Sequence, residues 1–266
     1  MATPAMAYGE RRFEAAYTMR LLAALAVLGA LAGFWAAASE DPAGTPHDTL
    51  KWASILAIAA LAGFWFVAGK SALTLSDAGV RRESMFGRQE MAWSQIAETR
   101  YRVVPINVYA HFGLIGMLLA MSSKSGKSGR AQLTLELMSA DGKKLKVTSA
   151  FRNADEAIGM ILERILPAKV QSVKARVQRG ETVSFGPVGL SATAVNYKGN
   201  SIPVSQITSA ELKASNLQIK RQGKWMSAVS VRSDKVPDVL VFLEVLESLA
   251  PQVKASGVDP LARVRM

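Results

Sequence analysis

Two long stretches without a charged residue lie near the N-terminus, and they constrain the fold of this chain more than any other feature. Residues 21–39 and 52–69 contain 19 and 18 residues, with no Asp, Glu, Lys or Arg in either stretch. An α-helix rises about 1.5 Å per residue, so each stretch is long enough to cross a hydrocarbon layer about 30 Å thick. The linker between them contains two prolines, which break a helix. The sequence therefore predicts a two-helix transmembrane hairpin over residues 18–70, with spans at about 20–39 and 52–69.

The charges that flank the two stretches predict their orientation. Lys and Arg lie at the outer ends of the hairpin, whereas the linker is acidic apart from Lys51. Because Lys and Arg favour the cytoplasmic side of a membrane, we expect a multi-pass protein of the inner membrane with both termini and the remainder of the chain in the cytoplasm. The run Ala36-Ala37-Ala38 leaves an alternative open, in which the first stretch is a cleaved signal peptide and one span remains.

Small residues recur four positions apart in both stretches. Gly29 and Gly33 lie in the first stretch, and Ala59 and Gly63 lie in the second. This spacing lets two membrane helices approach closely, so the four residues are predicted to pack the hairpin. Neither stretch carries an ionisable residue, which argues against a proton or ion pathway. The predicted role of the hairpin is an anchor in the lipid bilayer.

The residue types that most site chemistries require are scarce. The chain has no cysteine and only two histidines, which excludes disulfides, thiolate metal sites and cysteine nucleophiles. The run Ser125–Gly129 resembles part of a phosphate-binding loop, but the leading glycine of that motif is replaced by Met121 and a strand pattern follows. We therefore predict no catalytic residues, no cofactor and no metal site.

Positive charge is concentrated after the two uncharged stretches. Residues 70–266 hold 28 Lys and Arg against 16 Asp and Glu, a net charge of +12. Such a surface attracts anionic lipid headgroups, an acidic partner protein or nucleic acid. The sequence contains no nucleic-acid-binding motif, so we expect no nucleic acid. The predicted partners are anionic headgroups, a partner protein or a second copy of the chain.

A third uncharged segment, residues 103–123, allows three interpretations. It can form a buried strand and turn of the core, a third membrane span, or an apolar loop that dips into the membrane interface. In the third interpretation, apolar side chains enter the interface and the basic residues that follow contact phosphate headgroups. The predicted contact residues are Phe112, Leu114, Ile115, Leu118, Lys124, Lys127 and Arg130.

The segment after residue 130 has the pattern of a β-hairpin. Leu133, Leu135 and Leu137 alternate with polar residues, as in a strand with one buried face. Pairing Leu137 with Leu145 keeps the apolar residues of both strands on that face, and it requires a three-residue loop that ends at Gly142. Gly142 is therefore predicted to adopt a left-handed backbone conformation.

A helical pattern follows the hairpin. Asn153 and Glu156 form a helix-start signal, and Pro167 is predicted to interrupt the helix. A second helical segment is then predicted over residues 168–180. The apolar face of the first segment comprises Ile158, Ile161, Leu162, Ile165 and Leu166.

The sequence repeats itself at two places. LSDAGV at residues 75–80 is similar to LSATAV at residues 190–195, and MAWSQIA at residues 91–97 is similar to IPVSQIT at residues 202–208. Two α+β units, each an antiparallel sheet capped by a C-terminal helix, are the simplest explanation. The predicted organisation is a cytosolic N-terminal segment (1–17), the hairpin (18–70), a first unit (71–167), a linker helix (168–180), a second unit (181–250) and a flexible tail (251–266).

Several of these motifs together resemble a known family. They are the run Gly180–Pro187, the elements Trp93–Ile96 and Val204–Ile207, and Val236-Pro237 before the last helix. The chain resembles an uncharacterised bacterial family of membrane-anchored proteins. The resemblance implies pleckstrin-homology-like (PH-like) domains, each a bent antiparallel sheet capped by one C-terminal helix.

Two classes of function are consistent with these features. The first is a membrane-anchored, non-enzymatic tandem PH-like module that presents a basic cytosolic surface to a partner protein or to anionic lipid. The second is an enzyme or a small-ligand-handling protein with a polar pocket between the two units. A deep cleft lined by convergent polar groups would favour the second class.

Overall fold

The computed structural model describes residues 9–15, 28–29, 55–56, 59, 71–84, 87–105, 131–149, 151–213, 215–224 and 226–256. Within these ranges the chain forms fifteen strands in four sheets and two long helices. The chain divides into two compact units. The smaller unit comprises residues 6–91 and 150–153, and the larger unit comprises residues 1–5, 92–149 and 154–266.

The sheet of the smaller unit has the strand order β1-β2-β3-β4. Its strands are β1 (Arg11–Glu14), β2 (Ala72–Leu75), β3 (Gly79–Ser84) and β4 (Gly87–Ala92). The pattern of the sequence did not predict β1, because Phe13 is its only apolar residue. Phe13 is buried and lies opposite Leu73 of β2. Beyond this pair the amide of Ala15 donates a hydrogen bond to the carbonyl of Ser71 (3.2 Å), so the pairing of β1 with β2 brings residues 15 and 71 together.

The predicted β-hairpin is confirmed in the larger unit. Its sheet consists of β5 (Ile96–Pro105), β6 (Ala131–Ser139) and β7 (Lys144–Thr148). Leu137 lies opposite Leu145, and Gly142 has a φ of 83°, as the three-residue loop requires. The apolar residues that alternate along β6 and β7 are all buried: Leu133, Leu135, Leu137, Leu145 and Val147.

Helix α1 (Ala154–Gln178) is continuous, and the predicted interruption at Pro167 is wrong. A proline inside a helix removes one backbone hydrogen bond and disfavours the helical turn before it. Here Ile165 on one side and Val170 on the other are both buried, so packing holds the two halves in one helix and compensates the loss. Pro167 itself is exposed.

A second series of strands follows α1. The first four form a sheet in sequence order, β8 (Val183–Phe185), β9 (Val188–Leu190), β10 (Ala194–Tyr197) and β11 (Asn200–Pro203). The next sheet contains β12 (Ile207–Lys213), β13 (Asn216–Arg221), β14 (Ser227–Arg232) and the C-terminal β15 (Lys254–Ser256). Its order is β14-β13-β12-β15, and β15 is parallel to β12. Helix α2 (Val239–Leu249) lies between β14 and β15 in sequence.

The order of elements repeats along the chain. Four strands, a 3₁₀ turn, three strands and a helix occur twice in this order, with the 3₁₀ turns at Trp93–Gln95 and Val204–Gln206. The second repeat also has a 3₁₀ turn at Ser233–Lys235 before α2 and the strand β15 after it. The similar segments at residues 75–80 and 190–195 also lie at equivalent places in the two repeats, because Leu75 pairs with Val80 and Leu190 pairs with Val195. Each repeat contains two separate sheets, however, so the prediction of one bent sheet per unit is wrong.

The prediction of a transmembrane hairpin is also wrong. Among the residues that the structure describes, no helix combines the length and the apolar character needed to cross a membrane. Helix α1 has 25 residues but carries charges along its length, and α2 has only 11 residues. This finding overturns the hairpin over residues 18–70 and the multi-pass inner-membrane location with cytoplasmic termini that depended on it. Most residues of the two predicted spans lie outside the described ranges.

Two motifs that carry the family resemblance meet in the core of the larger unit. Phe185 packs edge-on against Phe242 of α2, with ring centroids 5.4 Å apart. The next residue, Gly186, has a φ of 66°, and a Cβ atom there would lie 2.6 Å from the carbonyl oxygen of Lys235 and 3.0 Å from Cδ of Pro237. The Phe-Gly-Pro turn therefore requires glycine for its backbone conformation and for its close contact with Pro237.

Replacing this glycine tests that close contact. We expect Gly186→Ala to destabilise the protein by about 1–3 kcal/mol more than Gly199→Ala, because only the first places a Cβ against backbone. Gly199 is a matched control, since its φ is 78° and a Cβ atom there meets nothing within 4 Å. Urea unfolding of both variants measures the difference, and equal losses would show that the contact at Gly186 carries no constraint.

The buried face of the hairpin gives a second stability prediction. Leu135 is fully buried, whereas its neighbour Thr134 lies on the opposite face and is half-buried. Leu135→Ala should lower the free energy of unfolding by about 2–5 kcal/mol, because it leaves a cavity in the core. Thr134→Ala should change the stability far less. Similar effects of both substitutions in chemical denaturation would contradict the assigned faces of β6.

Candidate functional site

The side chain of Asp238 is the centre of a polar cluster in the larger unit. Its Oδ1 atom accepts hydrogen bonds from the Thr99 amide (3.0 Å), the Thr99 hydroxyl (2.7 Å) and the Lys169 ammonium (2.8 Å). The backbone amide of Asp238 donates in turn to the carbonyl of Thr99 (2.7 Å). Lys169 also donates to the carbonyl of Ala97 (2.8 Å). We call Thr99, Lys169 and Asp238 the polar junction.

Three elements of the larger unit meet at the polar junction. Thr99 lies in β5, Lys169 lies in α1, and Asp238 is the residue directly before α2. Asp238 has the left-handed conformation (φ 48°) and its side chain does not cap α2, although aspartate is a favoured capping residue. The carboxylate is directed to β5 and α1 instead. The side chains of Lys169 and Asp238 are 18% and 19% exposed, so solvent screens this ion pair less than a surface pair.

The geometry of the polar junction indicates a structural role. The Lys169 ammonium is held by a carboxylate and a carbonyl, so it is not presented as a nucleophile or a base. In the ranges that the structure describes, no group of three or more His, Asp or Glu side chains is placed to hold a metal ion. The polar junction therefore connects β5, α1 and the start of α2.

The polar junction also provides hydrogen-bond partners for the backbone at the outer edge of β5. Thr99 pairs with Leu137 of β6 on one side, and on its other side both its amide and its carbonyl bind Asp238. Thr99 corresponds by position in the repeat to Ala210 of β12, which pairs with Ile219 of β13. The other edge of Ala210 pairs with Ala255 of β15. Equivalent strand edges are therefore covered by a single residue in the first repeat and by a short strand in the second.

The outer face of the first three-stranded sheet carries ordered rows of charge. Arg100 lies opposite Glu136, which lies opposite Lys146, so three charged residues cross the sheet side by side. Glu98 accepts a hydrogen bond from Arg100 (2.6 Å). The face holds four basic and two acidic residues, namely Glu98, Arg100, Arg102, Glu136, Lys144 and Lys146.

The sheet of β12, β13, β14 and β15 has a similar outer face. Its charged residues are Glu211, Lys213, Lys220 and Arg232, three of them basic. Lys220 lies 3.7 Å from Glu211, and Lys213 occupies the position that Arg102 occupies in the first sheet. A hydrogen bond from Arg232 lowers the pKa of Asp234, and the charges of Arg232 and Arg102 lower it further. We call these two surfaces the charged outer faces.

The predicted site residues are mostly outside the described ranges. All of the predicted membrane and headgroup contacts, from Phe112 to Arg130, lie there, as do Gly33 and Gly63. Gly29 and Ala59 are described, and both are helical and exposed. A Cβ atom at Gly29 would meet nothing within 4 Å among the described residues, so this position has no close neighbour there.

Sequence reasoning did not find the polar junction. Asp238 directly follows the Val236-Pro237 motif, which is the one local signal that marks its position. Thr99 is separated from it by 139 residues and Lys169 by 69, and neither has a local pattern that sets it apart. A helix-start aspartate that leaves its own helix uncapped is recognisable only once the structure is known.

The effects of substitutions at Asp238 and Lys169 on the free energy of unfolding should be coupled. Asp238→Ala is expected to lower the free energy of unfolding by about 1–3 kcal/mol, because it leaves the Thr99 amide and Lys169 without their shared acceptor. Adding Lys169→Ala should cost less than it does in the wild-type background, since the two residues interact. Arg179→Ala is a surface control within about 0.5 kcal/mol. Fully additive effects in a double-mutant cycle would contradict the coupling.

Comparison with known proteins assigns the chain to a family. The model of a family of unknown function, DUF6585, matches residues 117–255, which is more than half of the chain. The matched region includes two members of the polar junction, Lys169 and Asp238, and extends to β15. No curated protein matches the chain. The chain therefore belongs to the DUF6585 family of unknown function.

Proposed function

We propose that this chain is a non-enzymatic binding module, built from two PH-like repeats, that binds an acidic surface of a partner protein through its charged outer faces. The observation that carries the proposal is the excess of basic residues on the outer face of the β5-β6-β7 sheet and on that of the β14-β13-β12-β15 sheet. The inner faces of these two sheets are mostly apolar and buried, so it is their outer faces that can contact a partner.

The order of elements supports the PH-like part of the proposal. Each repeat places four strands before three strands and a helix, which is the PH-like order of strands followed by a helix, although the strands form two sheets instead of one bent sheet. In the larger unit α1 contacts β6 and β7, so a helix covers the inner face of that sheet. A sheet with one covered and one solvated face is typical of antiparallel architecture, and its solvated face is free to specialise in recognition.

The pattern of charges favours a protein as the partner. A phosphate headgroup is best held by several cations that converge on one point. On the charged outer faces, by contrast, basic residues alternate with carboxylates, as Arg100, Glu136 and Lys146 do across one row. Complementary charges at matching spacing are a feature of protein surfaces, where they provide specificity and register. The expected partner surface is acidic overall and contains some basic residues.

The proposal can be tested with two simple probes, a polyglutamate peptide and vesicles that contain phosphatidylglycerol. The test variant is Lys144→Glu with Lys213→Glu, which reverses one exposed lysine on each charged outer face. Its affinity for the peptide should be lower than that of the wild-type chain by about tenfold, or about 1.4 kcal/mol. Added salt should weaken binding by the wild-type chain. Fluorescence anisotropy of a labelled peptide measures both effects.

A matched control distinguishes binding through the charged outer faces from a general effect of net charge on binding. Lys198→Glu with Lys224→Glu makes the same change in charge at two exposed turn positions. This control should bind the peptide nearly as well as the wild-type chain does. Equal loss in both variants would show attraction to net charge alone. Binding to vesicles without binding to the peptide would assign the surface to lipid. Either outcome would contradict the proposal.

A further inference from the structure

The two charged outer faces meet at the side chain of Asp234. Its carboxylate accepts two hydrogen bonds from the guanidinium of Arg232, one of them from Nε at 3.0 Å. Arg232 is the last residue of β14 and belongs to the second charged outer face. The hydrogen bond from Arg232 lowers the pKa of Asp234, and so does the charge of Arg102, which lies in β5 on the first charged outer face. One carboxylate is therefore close to a basic residue of each face.

The segment that follows β14 brings the two faces together. Residues 233–238 lead from the end of β14 to the outer edge of β5, where the Asp238 amide donates to the Thr99 carbonyl (2.7 Å). The 3₁₀ turn Ser233–Lys235 contacts β5. The first residue of this turn is buried, and its amide donates to the carbonyl of Ser215, between β12 and β13 (2.8 Å). Backbone hydrogen bonds to both sheets thus hold the connection in place.

Basic residues line up across this connection. Lys213 lies opposite Asn216, which lies opposite Arg232, so the three form one row on the outer face of their sheet. Neighbouring strands are about 4.8 Å apart, which places the backbones of Lys213 and Arg232 about 10 Å apart. Beyond Arg232 the row continues to Asp234 and Arg102. We call Lys213, Arg232 and Arg102 the basic row.

The contact between Arg232 and Asp234 indicates which chemical group the basic row binds. A guanidinium has five N–H donors in one plane and can hold a carboxylate through two of them. Arg232 holds Asp234 in this way, and its side chain is still 51% exposed, so it can donate to a second carboxylate as well. The three basic residues and Asp234 together carry a net charge of +2. An acidic ligand complements this charge.

We propose that one extended acidic segment of the partner binds along the basic row and crosses from one charged outer face to the other at Asp234. This inference rests on the proposed function and deepens it, because the two faces then form one site for one segment. Alternate side chains of an extended chain lie on the same side, about 7 Å apart, so several carboxylates of the segment can follow the row. A substitution on either face should weaken the same binding event.

The stoichiometry of binding tests whether the two faces form one site. The probe is a ten-residue polyglutamate peptide, about 33 Å long when extended, titrated into the full-length chain in a calorimeter. We expect one peptide per chain. Arg102→Gln and Lys213→Gln should each weaken this single event by about fivefold, or about 1 kcal/mol. The double variant should bind about 25-fold more weakly than the wild-type chain, because the two losses add as free energies.

Two control variants accompany this titration. Lys224→Gln removes one positive charge from an exposed turn, so it should bind nearly as well as the wild-type chain. Arg102→Lys keeps the charge of the basic row and should retain most of the affinity that Arg102→Gln loses. Melting temperatures of all variants are measured alongside, and recovery in Arg102→Lys distinguishes a loss of charge from a loss of folded protein.

A second experiment tests whether the segment passes Asp234. Asp234→Asn removes a negative charge from the middle of the basic row, so the affinity for the peptide should rise by about two- to fivefold. Glu247→Gln makes the same change in charge at an exposed position of α2 and should have a smaller effect. Equal effects of the two substitutions, or a loss of affinity in Asp234→Asn, would overturn the proposed path of the segment.

The stoichiometry also separates failure of this inference from failure of the proposed function. Two peptides per chain, with Arg102→Gln and Lys213→Gln each removing one site and leaving the other at wild-type affinity, would overturn the inference. The proposed function would stand, because both faces would still bind acidic peptide. Absence of peptide binding by the wild-type chain would instead contradict the proposed function, and the inference would fall with it.

Discussion

A single carboxylate oxygen, Oδ1 of Asp238, connects the first repeat to the last helix in the larger unit. It accepts hydrogen bonds from the Thr99 amide, the Thr99 hydroxyl and the Lys169 ammonium, at 2.7–3.0 Å. Hydrogen bonds to a charged group are roughly twice as strong as neutral ones, and this group is largely shielded from solvent. The arrangement fixes where α2 begins and which edge of β5 it covers. The packing of α2 then follows, with seven of its eleven residues buried.

The two repeats share the arrangement of their sheet faces but differ in how a sheet edge is covered. In β5 to β7 and again in β12 to β14 the register places apolar residues inward and charged residues outward, so the charged outer faces result from strand alternation alone. The edges of the sheets differ. Asp238 binds the edge of β5 through groups that belong to a buried helix, whereas β12 is covered by a segment at the end of the described chain. An unpaired strand edge invites association, so proteins generally cover it.

Local features were predictable from the sequence where one physical rule determines the outcome. Strand alternation fixed the pairing of Leu137 with Leu145 and the left-handed Gly142, because any other register would expose the leucine face. The similar segments at residues 91–97 and 202–208 do lie at equivalent places, although the 3₁₀ turns that they contain were not predicted. The continuity of α1 through Pro167 was not predictable, since it depends on the buried residues on either side. Strand β1 was missed because its partner β2 follows almost 60 residues later and only Phe13 marks it.

Neither the long-range polar contacts nor the failure of the hairpin prediction could be foreseen from local sequence patterns. Hydropathy identifies a long uncharged stretch, but it does not show that the stretch forms one helix. Within the described ranges no helix is long and apolar enough to cross a membrane. Thr99, Lys169 and Asp238 are ordinary polar residues until the fold brings them together. The candidate site therefore had to be identified from geometry. The model of the DUF6585 family, whose function is unknown, covers Lys169 and Asp238 and extends into β15.

The central claim is that equivalent edges of the two repeats differ in how firmly they are closed, and amide hydrogen exchange measured by NMR tests it most directly. The Thr99 amide is bound to a fixed residue, so we predict that it exchanges only when the larger unit unfolds as a whole. The equivalent edge amide, that of Ala210, should exchange through a local opening of lower free energy, in which β15 detaches. Equal opening free energies at the two edges, or faster exchange at Thr99, would contradict the account.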